Sequence, residues 1–145
     1  MARILVIDDD SLILRLVQLM LVTEGHEVDT AGDGVEGLRI LNSHPPDAIV
    51  LDMTMPQMDG ETFFKVVTER GCTAPIIIFS ALESSAKAQQ LGAAAYLQKP
   101  FDPDNLQSVI NEVLQRSNSQ GRERQRQRNG AEASTPKKWS PGGRS

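Results

Sequence analysis

Short apolar segments rich in β-branched residues recur along this chain, and they constrain its fold more than any other feature. Residues 4–7, 48–51 and 76–79 are apolar at every position. A strand without polar alternation is buried on both faces, which occurs mainly in parallel sheets that helices cover on both sides. These three segments therefore predict the central strands of an α/β domain.

Helical signals fill the gaps between these strands. Ser11 is a predicted N-cap for a helix over 12–22, and Asp33 and Glu36 have the spacing of a capping box at the start of a second helix. Further helices are predicted over residues 60–69, over 83–91 and, after the N-cap Asp102, from Pro103 onward.

Two less apolar segments, residues 27–30 and 94–97, complete a set of five predicted strands that alternate with five helices. This alternation is typical of a parallel sheet with helices on both faces. The expected architecture is α/β, with a flavodoxin-like, doubly wound, five-stranded parallel sheet of strand order 2-1-3-4-5. Ligands of such sheets bind beyond the carboxyl ends of the strands.

The net charge of −4 is distributed unevenly along the 145 residues. Residues 1–118 contain eight Lys or Arg and 17 Asp or Glu residues, a net charge of −9, whereas residues 119–145 contain seven and two, a net charge of +5. The acidic part is predicted to be one domain that does not bind nucleic acid.

The basic part, residues 119–145, has one large apolar residue, Trp139. It is expected to be a disordered tail, because it cannot bury enough apolar surface to offset its ordering entropy. Three interpretations of its arginines stay open: a solvated linker, a contact with nucleic acid or an acidic partner, and a linker to a further domain.

A cytoplasmic location is expected on two grounds. Cys72 is the single cysteine, so no disulfide forms within the chain, as is usual in a reducing compartment. Three aspartates follow the first apolar segment at once, which argues against a signal peptide, and no apolar run approaches the roughly 20 residues of a membrane span. We therefore expect no membrane partner.

Polar residues follow the predicted strands at the edge where ligands are expected. Clustered carboxylates repel one another unless a cation compensates them, and an all-oxygen set with room for water suits Mg²⁺. A carboxylate can also accept a phosphoryl group while a metal and a lysine neutralise its oxygens. We assign Asp10 to the start of the first helix rather than to metal binding. The set consists of Asp8, Asp9 and Asp10 after the first strand, Asp52 after the third, Ser80 after the fourth and Lys99 after the fifth.

Four motifs, each at a predicted strand end, resemble in this order the signature of bacterial response-regulator receiver domains. They are Asp8-Asp9, residues 51–60, Ser80-Ala81 and residues 99–101. The resemblance covers about residues 2–117. It implies that residues 1–118 are the receiver of a two-component or phosphorelay system, which catalyses only its own phosphorylation and dephosphorylation and is otherwise not an enzyme.

The resemblance implies a role for each matching acidic residue. Asp52 corresponds to the phosphorylated aspartate, which also contacts Mg²⁺. Asp9 corresponds to a direct metal ligand, and Asp8 to a residue that supports the metal, often through water. The backbone carbonyl of Thr54 corresponds to a further metal ligand.

The remaining matches concern the response to phosphorylation. Ser80 corresponds to a hydroxyl residue that bonds to the phosphoryl group and moves with it, and Tyr96 to an aromatic residue whose rotamer follows that movement. Lys99 corresponds to the lysine that pairs with the phosphoryl oxygens. The Lys99–Pro100 peptide bond is expected to be cis.

The resemblance also implies the partners. A sensor histidine kinase or a histidine phosphotransfer protein would donate the phosphoryl group, and an effector protein would bind the surface of the fourth helix, fifth strand and fifth helix, residues 83–115. The protein is expected to be a monomer or a weak dimer. A chemotaxis-type switch, a phosphorelay intermediate and a receiver from a longer chain all stay open, since no output domain is recognisable after residue 118.

Two other functions share part of the pattern. A haloacid-dehalogenase-type phosphatase also uses an aspartate nucleophile. Asp8 and Asp10 match the two aspartates of its Asp-x-Asp-x-Thr/Val signature, but Leu12 stands where the signature has Thr or Val. Steady turnover of a phosphate ester would identify such an enzyme. A receiver-like module that binds partners without phosphorylation is disfavoured by the complete set of acidic, hydroxyl and lysine residues.

The residues two positions beyond Asp52 and Ser80 tune phosphoryl hydrolysis in this family, and here they are Thr54 and Leu82. Neither is a carboxylate, an amide or a base that orients an attacking water, so we predict a long-lived phosphoryl group. Leu82→Asn is expected to shorten the lifetime of the acyl phosphate, measured after removal of the donor. An unchanged lifetime would exclude Leu82 as the control point.

Overall fold

A computed structural model describes residues 2–53, 55, 58–81 and 85–129, with side chains as far as Arg116. Strands and helices alternate along these residues. The strands are β1 (Arg3–Ile7), β2 (Glu27–Ala31), β3 (Ala48–Asp52), β4 (Ile76–Ser80) and β5 (Ala95–Gln98). The helices are α1 (Ser11–Thr23), α2 (Gly34–Ser43), α3 (Gly60–Glu69), α4 (Ser85–Leu91) and α5 (Pro103–Asn129).

The five strands form one parallel sheet in the order β2-β1-β3-β4-β5. This order confirms the predicted flavodoxin-like, doubly wound architecture with five helices. The strand order reverses between β1 and β3. The connections that follow these two neighbouring strands therefore lead to opposite faces of the sheet. A crevice at the carboxyl ends of β1 and β3 is the place where such sheets bind ligands.

The sheet divides the core into two apolar clusters, because alternate residues of a strand point to opposite faces. Ile4 of β1 belongs to the cluster that α1 and α5 cover, together with Val17 and Ile110. Leu5 belongs to the cluster on the other face, where α2, α3 and α4 pack and Phe63 is fully buried. Both faces of the central strands are therefore covered, as their uninterrupted apolar sequences predict.

Aspartates cap the helices that begin at the carboxyl edge of the sheet. Asp10, not the predicted Ser11, is the N-cap of α1, and its carboxylate accepts a hydrogen bond from the backbone N–H of Leu12 at 2.9 Å. The assignment of Asp10 to the helix start is thus confirmed, while Ser11 is the first helical residue. Asp33 caps α2 as predicted. An aspartate cap also interacts favourably with the positive end of the helix dipole.

The last helix is longer than predicted. The composition indicates disorder from Ser119, whereas the backbone of α5 continues as a helix to Asn129. Arg, Gln and Glu have high helix propensity, and residues added to an existing helix avoid the cost of nucleation. The predicted boundary after residue 118 therefore does not coincide with the end of α5, and residues 130–145 of the predicted tail lie outside the described residues.

None of the described helices combines the length and the apolar character that a membrane span requires.

We predict that Gly60→Ala destabilises the fold, because an alanine Cβ would lie 2.6 Å from the backbone oxygen of Asp52 and 2.6 Å from Cα of Met53. Backbone atoms cannot yield as a flexible side chain does, so we expect a loss of about 1–3 kcal/mol in the free energy of unfolding. Urea denaturation measures it. Gly32→Ala is the matched control, since its Cβ would meet nothing within 4 Å. Equal losses in both variants would contradict the prediction.

Candidate functional site

Three carboxylates converge where β1 and β3 end. Asp8 and Asp9 directly follow β1, and Asp52 is the last residue of β3. The two strands pair in parallel with Ile7 opposite Leu51, so the residues that follow lie side by side. One carboxylate oxygen of each aspartate lies within 4.8 Å of those of the other two. The structure thus brings together the acidic residues that the sequence predicts at this edge.

The three carboxylates differ in burial. Asp8 is 0% and Asp52 4% exposed, whereas Asp9 is exposed. A charged group that is removed from water is costly unless hydrogen bonds and opposite charges surround it. Asp8 and Asp52 therefore need partners inside the protein, and Asp9 lies on the solvent side of the group.

Lys99 provides one such partner. Its Nζ lies 2.6 Å from Oδ2 of Asp8 and 3.7 Å from Oδ1 of Asp52. The same ammonium lies 4.7 Å from the centre of the Phe79 ring, a favourable cation–π distance. In their ordinary ionised forms, three carboxylates and one ammonium have a formal net charge of −2, so Lys99 compensates only part of the negative charge.

Both carboxylate oxygens of Asp8 have a protein partner. Oδ2 accepts the hydrogen bond from Lys99, and Oδ1 accepts one from the backbone N–H of Asp10 at 2.8 Å. Asp10 thus contributes its backbone to the site, while its own side chain caps α1. This arrangement fixes the orientation of the Asp8 carboxylate before any ligand binds.

The chain segment after β5 positions Lys99. The backbone N–H of Lys99 donates to the carbonyl oxygen of Ser80 at 2.7 Å, and the following Lys99–Pro100 peptide bond is cis, as predicted. Ser80 is the last residue of β4 and is 1% exposed. The predicted hydroxyl and ammonium residues therefore lie at the ends of neighbouring strands.

Tyr96 lies in β5, partly buried, and packs against the apolar cluster on the face of α2, α3 and α4. It lies opposite Ile78 of β4, two residues before Ser80. Thr54 and Leu82, which complete the predicted set, lie outside the described residues. The described part of the chain therefore contains six of the predicted site residues, and four of them, Asp8, Asp9, Asp52 and Lys99, lie together.

The connection from β3 to α3 contains two structural features beyond the predicted site residues. Gly60 approaches the backbone of Asp52 so closely that no Cβ fits, and its N–H donates to the carbonyl of Met53 at 3.1 Å. Asp59 caps α3, and the hydrogen bond from the backbone N–H of Thr62 lowers the pKa of Asp59. The sequence signal for the cap is the aspartate directly before the predicted helix over residues 60–69.

An ion pair that the sequence pattern does not predict joins α3 to α4. Glu61 of α3 lies 3.2 Å from Lys65 in the same helix and 3.5 Å from Lys87 of α4. The hydrogen bond from Lys65, followed by the charge of Lys87, lowers the pKa of Glu61. An attraction between the two helices therefore persists as long as the Glu61 carboxyl group stays ionised.

The donor set fits a magnesium ion. Carboxylate oxygens are the ligands that Mg²⁺ prefers, and those of Asp8, Asp9 and Asp52 are close enough to face one ion. With Lys99 included, the group has a formal charge of −2, which a divalent cation would neutralise. Because Asp9 is exposed, one side of the group is open to the water molecules that Mg²⁺ usually retains.

Comparison with known proteins agrees with this arrangement. The family model described as "Response regulator receiver domain" matches residues 4–111. Among curated proteins, the chain is 39% identical over 118 residues to the chemotaxis protein CheY of Treponema pallidum, a match that covers 77% of this chain and 82% of CheY.

Longer regulators match over the same part of the chain. Identity is 39% over 121 residues to the transcriptional regulatory protein KdpE of Mycobacterium tuberculosis, covering 81% of this chain and 53% of KdpE. It is 37% over 119 residues to the transcriptional regulatory protein GlrR of Escherichia coli, covering 80% and 27%. The chain thus spans about a quarter to a half of the length of these transcriptional regulators.

Solved structures show the same likeness. A response regulator receiver domain protein from Clostridium thermocellum matches with a TM-score of 0.75 and 33% identity, covering 81% of this chain and 98% of the other. The chemotaxis protein CheY4 of Vibrio cholerae matches with a TM-score of 0.73 and 33% identity, covering 78% and 98%. With its sheet order and the family model in agreement, the chain belongs to the receiver-domain family of two-component response regulators.

Proposed function

We propose that this protein is a signalling switch that accepts a phosphoryl group on Asp52 from a sensor histidine kinase or a histidine phosphotransfer protein. The observation that carries the proposal is the position of Lys99, whose ammonium lies between the buried carboxylates of Asp8 and Asp52. A lysine in this place can leave one carboxylate and pair with new negative charge on the other. Membership of the receiver family supports the same function.

Phosphoryl transfer would use the Asp52 carboxylate as the nucleophile. One of its oxygens attacks the phosphorus of a phosphohistidine, forming a P–O bond as the P–N bond breaks. The leaving imidazole nitrogen keeps the electron pair of the broken bond and takes up a proton from solvent. The product is an acyl phosphate on Asp52, which subsequently hydrolyses with an attacking water.

Mg²⁺ would be held by Asp9, by Asp52 and by the backbone carbonyl of Thr54. When bound, it neutralises the charge of the phosphoryl oxygens. Asp8 would act through water, and the engagement of both its oxygens with Lys99 and the backbone of Asp10 supports that indirect role. Asp8 would thus orient the site rather than provide a free ligand.

Lys99 and Ser80 would recognise the phosphoryl group once it is attached. Phosphorylation adds about one negative charge and three acceptor oxygens to Asp52. The Lys99 ammonium, 3.7 Å from Asp52 before the reaction, would move toward these oxygens and weaken its contact with Asp8. The Ser80 hydroxyl, at the end of the next strand, would donate to another of them.

The signal would reach a partner through the surface formed by α4, β5 and α5. Movement of Ser80 toward the phosphoryl group would leave space for Tyr96, and a small change at the site would thereby bias two arrangements of this surface. Helix α4 is suited to such a change because Ala88 is its one buried residue. The partner would be an effector protein or the next phosphotransfer protein, and the switch would act in the cytoplasm as a monomer or weak dimer.

We predict that Asp52→Asn abolishes phosphorylation, because the amide is not a nucleophile for phosphorus at neutral pH. Incubation with a small phosphodonor and Mg²⁺, followed by intact-mass measurement, is expected to show one added phosphoryl group on the wild type and none on the variant. Asp47→Asn is the matched control, since Asp47 accepts from the backbone N–H of Arg3 at the opposite edge of the sheet. Failure of the wild type to gain mass with any donor would support a module that binds partners without phosphorylation.

We also predict that neighbouring aspartates differ in their effect on Mg²⁺ binding. Asp9→Asn is expected to weaken Mg²⁺ binding by at least roughly tenfold, the lower end of the loss that even outer-shell substitutions cause. Asp10→Asn is expected to leave the affinity close to that of the wild type, because asparagine is as good an N-cap as aspartate. Isothermal titration calorimetry with MgCl₂ measures both. A larger loss for Asp10→Asn than for Asp9→Asn would contradict the assignment of the ligand.

A further inference from the structure

The side chain of Lys99 crosses a neighbouring strand to reach the acidic site. Lys99 directly follows β5, whereas Asp52 ends β3 and Asp8 follows β1, and β4 lies between β5 and β3 in the sheet. The Lys99 Nζ nevertheless lies 2.6 Å from a carboxylate oxygen of Asp8 and 3.7 Å from one of Asp52. The lysine therefore reaches the site across the carboxyl end of β4, and the side chains at that end belong to its surroundings.

Phe79 is the residue of β4 that meets the ammonium. It is in register with Asp52 of β3 and with Leu97 of β5, so it lies at the level of the sheet where the carboxylates converge. The centre of its ring lies 4.7 Å from Nζ of Lys99. The face of an aromatic ring carries partial negative charge and attracts a cation within about 6 Å of the ring centre. The ring is thus a third source of attraction for the ammonium, beside the two carboxylates.

The Phe79 ring is held firmly in place. Phe79 is 0% exposed and belongs to the apolar cluster that α1 and α5 cover. The ring of Phe101 packs against it at an angle of 48°, with the two ring centres 5.8 Å apart, a separation typical of aromatic pairs. Because a core is closely packed, a ring within it has little freedom to move. The attraction that Lys99 feels therefore comes from a fixed position.

The Lys99 ammonium depends on such partners because little water reaches it. The side chain of Lys99 is 16% exposed. A charged group that has lost most of its water is costly unless other groups replace that water. An ammonium has three N–H donors, and Lys99 directs one of them to Asp8. The ring of Phe79 replaces part of the remaining hydration without requiring a hydrogen bond of fixed direction.

We propose that Phe79 is a positioning residue for Lys99, and that its ring face keeps the ammonium beside Asp52, ready for the phosphoryl oxygens. The inference rests on the proposed function and names a further residue that serves the same site. Phe79 acts through the lysine rather than on the reacting atoms. Leucine at this position would fill much of the same core space but has no negative face, so Lys99 would turn toward solvent for more of the time.

The contact also tolerates the movement that the reaction requires. A charge-assisted hydrogen bond joins nitrogen and oxygen at about 2.7–2.9 Å, so Nζ of Lys99 needs to move about 1 Å to bond on the Asp52 side. From its present 4.7 Å, a movement of that size leaves the ammonium within about 6 Å of the ring centre. The ring therefore retains Lys99 in the site while the lysine exchanges one oxygen partner for another.

Urea denaturation without Mg²⁺ or donor tests the contact itself. A trifluorinated phenylalanine ring at position 79 nearly keeps the shape of the side chain but removes most of the negative charge from the ring face. We expect this ring to lower the midpoint of unfolding more in the chain that has Lys99 than in Lys99→Met, because the coupling requires both groups. Equal shifts in the two backgrounds would overturn the proposal.

The rate of phosphorylation by a small phosphodonor at saturating Mg²⁺ tests the positioning. The fluorinated chain and Phe79→Leu are each expected to react roughly two- to tenfold more slowly than the wild type, the factor to which a cation–π energy corresponds. Phe63→Leu is the matched control, because Phe63 is also 0% exposed but belongs to the cluster on the opposite face of the sheet. An unchanged rate in the fluorinated chain, or equal slowing in Phe63→Leu, would contradict the role of Phe79.

The two measurements separate this inference from the proposed function. A wild type that gains no phosphoryl group with any donor would refute the proposed function, and the role of Phe79 in the reaction with it. Unequal midpoint shifts would then still establish the ring as a partner of Lys99. A wild type that reacts at the same rate as the fluorinated chain would leave the proposed function intact and overturn the role of Phe79 alone.

Discussion

One buried contact between opposite charges makes the rest of the site possible. The parallel pairing of β1 and β3 places Asp8 beside Asp52, and without a nearby cation these buried carboxylates would repel each other. Lys99 enters between them from the end of β5, two strands away from β3 in the sheet. Loss of one partner from a buried pair costs about 3–5 kcal/mol. The strand order therefore brings the two carboxylates close enough to repel each other, and it also positions the ammonium that compensates their charge.

The fold and the position of the carboxylates could be predicted from the sequence, because both depend on where apolar strands end. The four-residue segments before Asp8 and Asp52 locate those ends to within a residue, and parallel strands place all their carboxyl ends at one edge. The distances from the Lys99 ammonium to the two carboxylates could not be predicted. They depend on the rotamers of a long side chain and on the ring of Phe79 beside it, and the spacing of residues in the sequence indicates neither.

Local chemistry alone does not locate the start of α1 or the end of α5. Asp10 and Ser11 are both good N-caps, and the choice between them depends on the angle at which the chain leaves β1. A polar helix and a polar disordered segment have the same composition, so only the preceding turns of α5 could favour helix beyond Ser119. The close approach of Gly60 to β3 is a three-dimensional constraint that a single glycine at the start of a helix does not reveal.

The ion pair between Glu61 and Lys87 makes the contact between α3 and α4 dependent on salt. Both side chains are partly exposed, at 34 and 42%, and they join α4 to α3 where α4 itself buries a single side chain, Ala88. Charges in contact with solvent are screened over about 8 Å at physiological ionic strength. The attraction that this exposed pair adds between α4 and α3 is therefore weaker at high ionic strength than at low ionic strength.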